Sequence, residues 1–177
     1  KFAKLTHTTA AFGADASRAR VVSHLDGARS KAESYQLFMG REGQFMDIES
    51  CTMHHAPDTS GFMACRGALA DFATGVYKGM IKIGRDAPNS ISHQSGTVFL
   101  LSENAKANII PFLEVKNFSV EATHGASVGA LDLNEIAYLR SRGLIEGTRA
   151  SPAHAFAIES GIAALVVPVA GTLLGAL

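Results

Sequence analysis

The sequence predicts a mainly β chain that closes in a small helical subdomain. Three observations carry this. Residues 1–130 are rich in Gly, Ser, Thr and His and hold short β-prone runs bounded by Gly, Asn, Asp or Pro. Several of those runs alternate in polarity with a period of two. From Asp132 onward the apolar spacing becomes helical.

The expected strands, in order, are ARVVSHL (19–25), SYQLFM (34–39), QFMDI (44–48), TMHHA (52–56), GVYKGMIKI (75–83), TVFLL (97–101), IIPFLEV (109–115) and FSVEATH (118–124). In GVYKGMIKI, Val76, Lys78, Met80 and Lys82 share one face and Tyr77, Gly79, Ile81 and Ile83 the other, so one face is the more buried. No helical pattern of 10–15 residues separates the runs, which argues against a βαβ fold. The pattern fits a sandwich, a barrel or a β-solenoid and does not choose among them. The lack of a strict short repeat argues against a hexapeptide-type left-handed helix.

Residues 131–177 form the second expected unit. Asp132 and Glu135 resemble a capping box, and Leu133, Ile136, Ala137 and Leu139 follow at helical spacing. Gly143 stops that helix after Arg140 and Arg142, whose charges suit its C-terminal end. A second helix is expected from about Glu146 or Pro152 to beyond Ile158. The uncharged tail 161–177 contains Pro168 and lacks flanking Lys, Arg, Trp or Tyr at its end. It reads as a short apolar helix that packs on the domain or on a partner, and not as a membrane span.

Sixteen Lys and Arg balance sixteen Asp and Glu, which leaves no electrostatic footprint for nucleic acid or an anionic membrane surface. Neutrality also favours association with a partner. Two cysteines, Cys51 and Cys65, make no disulfide framework and suit a reducing cytoplasm. No leader pattern is visible at the front of the chain.

Histidine and cysteine are the residues with chemical potential. Cys51, His54, His55 and Cys65 fall within fifteen residues, and their side chains suit zinc, iron or copper. The spacing C-x2-H-H-x9-C matches no closed zinc template, so the first expectation is a buried Cys with half-exposed His on a sheet face. A mononuclear metal centre on these four is the alternative. On a strand, Cys51, Met53 and His55 point one way and Thr52 and His54 the other. His93 and His124 are further candidates, and His124 precedes Gly125 at a strand end. His7, His24 and His154 read as surface positions, and His24, Asp26 and Arg29 remain unassigned. No Walker A sequence, G-x-G-x-x-G after a strand, H-E-x-x-H or G-x-S-x-G occurs, so no nucleotide is expected on this chain. Glu114, Glu121 and Asp132 are separated carboxylates with no sign of facing one another, and the absence of Trp suits a sugar-binding groove poorly.

Five segments then carry a resemblance: HHAPDTSGF (54–62), GVYKGMIKIGRDA (75–87), LLSENAKANIIPFLEV (100–115), VEATHGASVGALD (120–132) and IAYLRSRGL (136–144). In this order, and above all in THGASVG followed by YLRSRGL, the chain resembles the SufB/SufD family of iron–sulfur cluster assembly scaffolds, on the SufD side. The resemblance implies a right-handed parallel β-helix over 1–130 and a C-terminal helical subdomain over 131–177. It implies pairing through the β-helix with a SufB-like subunit or with itself. It also implies docking of a SufC-like ABC ATPase on the C-terminal helices, so that hydrolysis belongs to the partner and this chain is a scaffold, not an enzyme. The implied cargo is a nascent iron–sulfur cluster, with His124 as a ligand and Glu121 and Thr123 beside it. The SufB-side Cys falls at about Gly96 and its Glu at Gly125, and the Cys frequent in SufD stands at Ala122, so none of the three is present. A non-ligating structural partner and a carbohydrate-active β-solenoid enzyme are the competing readings.

Overall fold

The computed structural model describes residues 2–130, and the helical subdomain expected over 131–177 lies outside the described residues. Nine strands follow one another: β1 (Lys4–Ala11), β2 (Ala16–Leu25), β3 (Lys31–Gly40), β4 (Phe45–His54), β5 (Ser60–Leu69), β6 (Thr74–Ile83), β7 (Ile91–Leu100), β8 (Lys106–Val115) and β9 (Glu121–Ala130). Odd strands form one sheet in the order β1-β3-β5-β7-β9, and even strands a second in the order β2-β4-β6-β8. The pairs β1–β3, β2–β4, β3–β5, β4–β6, β5–β7 and β6–β8 are all parallel. The chain therefore winds as a β-solenoid with two strands per turn, which resolves the choice that alternation left open.

The turn length is nearly constant. Lys31 stands opposite Ser60, 29 residues on, and Ser60 opposite Ile91, 31 residues on. Corners between strands adopt left-handed backbone at stacked positions, with φ of 62° at Arg29, 59° at Asp58 and 56° at Asn89. The amide of each of these three donates to a carbonyl of the next turn, Pro57, Pro88 and Ser119 respectively. The corner conformation is thus held by the turn above, which offsets the strain of a positive φ at non-glycine residues.

The runs expected at 44–48 and 52–56 are one strand, β4, and His55 falls just past its end. β1 and β5 were not expected, and the last run begins at Glu121, not at Phe118. The alternation read in 75–83 is realised: Tyr77, Gly79, Ile81 and Ile83 face inward and Val76, Lys78, Met80 and Lys82 outward.

The interior has two characters. Toward one end of the cross-section Phe38, Met46, Ile48, Cys65, Leu69, Tyr77 and Val98 form an apolar cluster. Toward the other, Ser34, Thr52, His54, Ser92 and Gln94 are buried between the sheets. The lumen is narrow, so a large side chain from one strand requires a glycine opposite or beside it. Phe38 lies over Gly67, its register partner, and a Cβ on Gly67 would stand 2.6 Å from Phe38 Cε2 and 2.7 Å from Cε1.

Candidate functional site

β9 is the last strand described, at the edge of the five-stranded sheet. Glu121 N–H donates to Ser90 O at 3.0 Å, which sets the strand against the turn below. Thr123 Oγ1 lies 2.7 Å from His93 Nδ1 on the outer face. There His93 stacks on Phe62, which in turn packs against Tyr35. Ala122 faces the other way and packs against the cluster of Met63, Ile81, Ile83 and Ala87. Strand alternation places His124 on the same side as Ala122, above the lumen, and Glu121 on the outer face with Thr123. Both His124 and Glu121 are exposed, but they lie on opposite faces of β9.

The positions of the absent side chains differ in what surrounds them. A Cβ on Gly125 meets nothing within 4 Å. A Cβ on Gly96 would stand 3.0 Å from Ile109 Cγ2 and 3.2 Å from Tyr77 Cδ1, so the space a cysteine would occupy there is filled by core. Cys65, the register partner of Gly96 one turn earlier, is fully buried, and burial pushes its thiol far up.

The four candidates at 51–65 are dispersed by the fold. Cys51 faces outward from β4 and Cys65 faces the lumen from β5, and both are free and buried. Burial pushes the Cys51 thiol up as well. The expectation of a half-exposed His54 is corrected: it is fully buried, because it faces the lumen, where its ring lies against Gly61. Thr59 Oγ1 donates to Ala56 O at 3.1 Å and lies 2.8 Å from His54 Nδ1, so His54 Nδ1–H is the donor in that contact. Burial, and then the neighbouring His55, push the His54 pKa down to about 4, which keeps it neutral.

His55, by contrast, is exposed and meets a residue of the previous turn. Its Nε2 lies 3.4 Å from His24 Nδ1, with the rings stacked at 5.5 Å and 9°. Asp26 joins them, and the ligand atoms of the three lie within 4.8 Å of one another, the one such His/Cys/Asp/Glu group found among the described residues. Sequence reading set His24 on the surface without a role and missed this group. The available signal was the separation of 31 residues between His24 and His55, about one turn.

The chain is thus a parallel β-solenoid protein, a class in which strand edges and side-chain ladders over successive turns present the functional groups. A family model described as "SUF system FeS cluster assembly, SufBD core domain" matches residues 1–150, and the chain belongs to that family. It is 29% identical over 122 residues to the iron-sulfur cluster assembly protein SufD of Bacillus subtilis (strain 168), covering 69% of this chain and 28% of that protein. It is 28% identical over 122 residues to an iron-sulfur cluster assembly SufBD family protein of Staphylococcus saprophyticus, covering 69% of this chain and 26% of that protein. A family member from Staphylococcus epidermidis is 26% identical over 120 residues, covering 68% of this chain and 26% of that protein. The matched stretch is thus little more than a quarter of each relative's length. Among the described residues no helix is long and apolar enough to cross a membrane.

Proposed function

We propose that this chain is the solenoid-bearing part of a SufD-like scaffold subunit that helps build a nascent iron–sulfur cluster and hand it on in the cytoplasm. It pairs through its solenoid with a SufB-like chain or with a second copy of itself. Residues 131–177 dock a SufC-like ABC ATPase, and ATP hydrolysis belongs to that partner. The cluster is cargo, held for the time of assembly, and this chain contributes an imidazole to it and performs no bond-making step of its own.

The observation that carries the reading is His124 on the edge strand of a SufBD solenoid, exposed and followed by the open position of Gly125. An imidazole there is available to an iron atom that draws thiolate ligands from elsewhere. With Gly96 enclosed by Tyr77 and Ile109 and both native thiols buried, the thiolates come from a partner chain. Glu121, on the outer face, serves the surroundings of the site, and the cluster is not bound by this chain alone.

The test is anaerobic reconstitution with ferrous iron and sulfide, with and without a cysteine-bearing SufB-like partner, read by visible absorption and iron content. Thiolate-to-iron absorption that requires the partner and falls at least tenfold in His124→Ala supports the ligand role. Unchanged iron in His124→Ala, with pairing retained, overturns it in favour of a second reading. In that reading the chain is a structural partner without a ligand, which the absence of a side chain at Gly96 favours.

A further inference from the structure

We infer that His24, Asp26 and His55 form a binding site for a divalent first-row transition-metal ion on the outer surface of the four-stranded sheet, separate from the β9 edge. The three come from two successive turns. His24 is the penultimate residue of β2, Asp26 follows that strand, and His55 follows β4. Leu25 stands opposite His54 in the ladder, and His55 N–H donates to Leu25 O at 3.1 Å, so Asp26 and His55 occupy equivalent places one above the other. His24 and Asp26, two apart, leave the strand on the same side. The residues behind them are fixed: Leu25 is buried at 3% exposure and His54 at 0%.

The geometry suits a metal in its separations. Two nitrogen ligands at about 2.0–2.1 Å from a tetrahedral zinc stand about 3.4 Å from each other. His24 Nδ1 and His55 Nε2 are 3.4 Å apart. The Asp26 carboxylate, within 4.8 Å, closes on the same point by rotation of its side chain. Two imidazoles and one carboxylate leave further positions for water, the arrangement of an open zinc site or of ferrous iron held on one face. The next turn places Gly84 in the column of Asp26 and His55, its N–H bonded to His54 O, so that position adds no side chain to the group. Lys82 and Lys116, from the following turns, are both engaged by Glu114, at 3.4 and 2.7 Å.

Zinc titration of the full chain by calorimetry, with Co2+ absorption as the geometric readout, tests the site. The expected result is one Zn2+ per chain, with Co2+ giving the intense visible bands of a four-coordinate site. His24→Ala and His55→Ala each weaken Zn2+ at least tenfold, and Asp26→Asn weakens it while changing the Co2+ spectrum. His124→Ala leaves binding unchanged, which separates this site from the proposed cluster ligand. All these residues are exposed, and circular dichroism confirms that each variant is folded. Absence of Zn2+ binding at millimolar metal, or binding that survives the double variant His24→Ala/His55→Ala, overturns the proposal.

Discussion

Substituting Gly67 by alanine tests the packing logic of the solenoid most directly. A Cβ at that position would sit 2.6 and 2.7 Å from Phe38 Cε2 and Cε1, and would also overlap Cζ. Contact distances between carbon atoms are about 3.5–4.0 Å, so the ring must retreat by about 1 Å. Room to retreat is limited, because Phe38 is fully buried and its ring also packs close beside Gly75, where even one added carbon would stand 2.8 Å from Cε2. Overpacking of this kind costs about 1–3 kcal/mol. With a urea m value of about 2 kcal/mol/M, Gly67→Ala lowers the unfolding midpoint by about 0.5–1.5 M. The partner variant Phe38→Leu removes the ring and is destabilising alone by leaving a void, by about 1–3 kcal/mol. The double variant is then less unstable than the sum of the two, by at least about 1 kcal/mol, because the new methyl occupies the space that the ring vacates. Strict additivity, or a Gly67→Ala midpoint within 0.2 M of the parent, would refute the claim that lumen glycines exist to admit facing side chains.

Acid sensitivity follows from His54, whose folded pKa of about 4 lies below its ordinary value of 6.5. The unfolded chain binds this proton first, so the stability contribution is complete above pH 6.5 and is lost as pH falls toward 4. Between pH 7 and 5 the loss is about 1–2 kcal/mol, and His54→Gln flattens it in urea titrations across that range. Both thiols are buried and pushed up, so a disulfide reagent labels Cys51 and Cys65 far more slowly in the native chain than in urea; rapid native labelling of Cys65 contradicts its place in the core. Asp47 receives Lys78 Nζ at 2.9 Å and Arg18 Nε at 3.4 Å while only 14% of its side chain is exposed. Asp47→Asn is expected to cost about 1 kcal/mol, with the gap between variant and parent narrowing in 1 M salt.

What the sequence revealed follows from where its information is local. The alternation of 75–83 was readable because Tyr77, Ile81 and Ile83 face one lumen and Lys78 and Lys82 face water. β5 was hidden because Gly61, Gly67, Ala64 and Ala68 carry no strand signature; Gly67 is small because the ring of Phe38 lies over it. β1 was hidden because nearly all of it is exposed and most of it is polar. The repeat of about thirty residues escaped notice for a related reason. Register partners such as Phe38 and Gly67, or Gln36 and Cys65, complement each other in volume and do not repeat each other in identity. The same separation hid the His24–His55 contact, whereas His124 was found through its motif and not through any local physical pattern.

The near-constant turn has a mechanical corollary. Strands are bonded to equivalents 27–32 residues away, so the contacts of one turn are made with the turns directly before and after it. Tension applied along the chain therefore has no single core to break. It peels one turn at a time, and each release frees about 30 residues, or about 100 Å of extended chain. A force trace of the solenoid would read as a ladder of equal steps, in which the spacing reports the winding and the height of each step reports how well one turn grips the next.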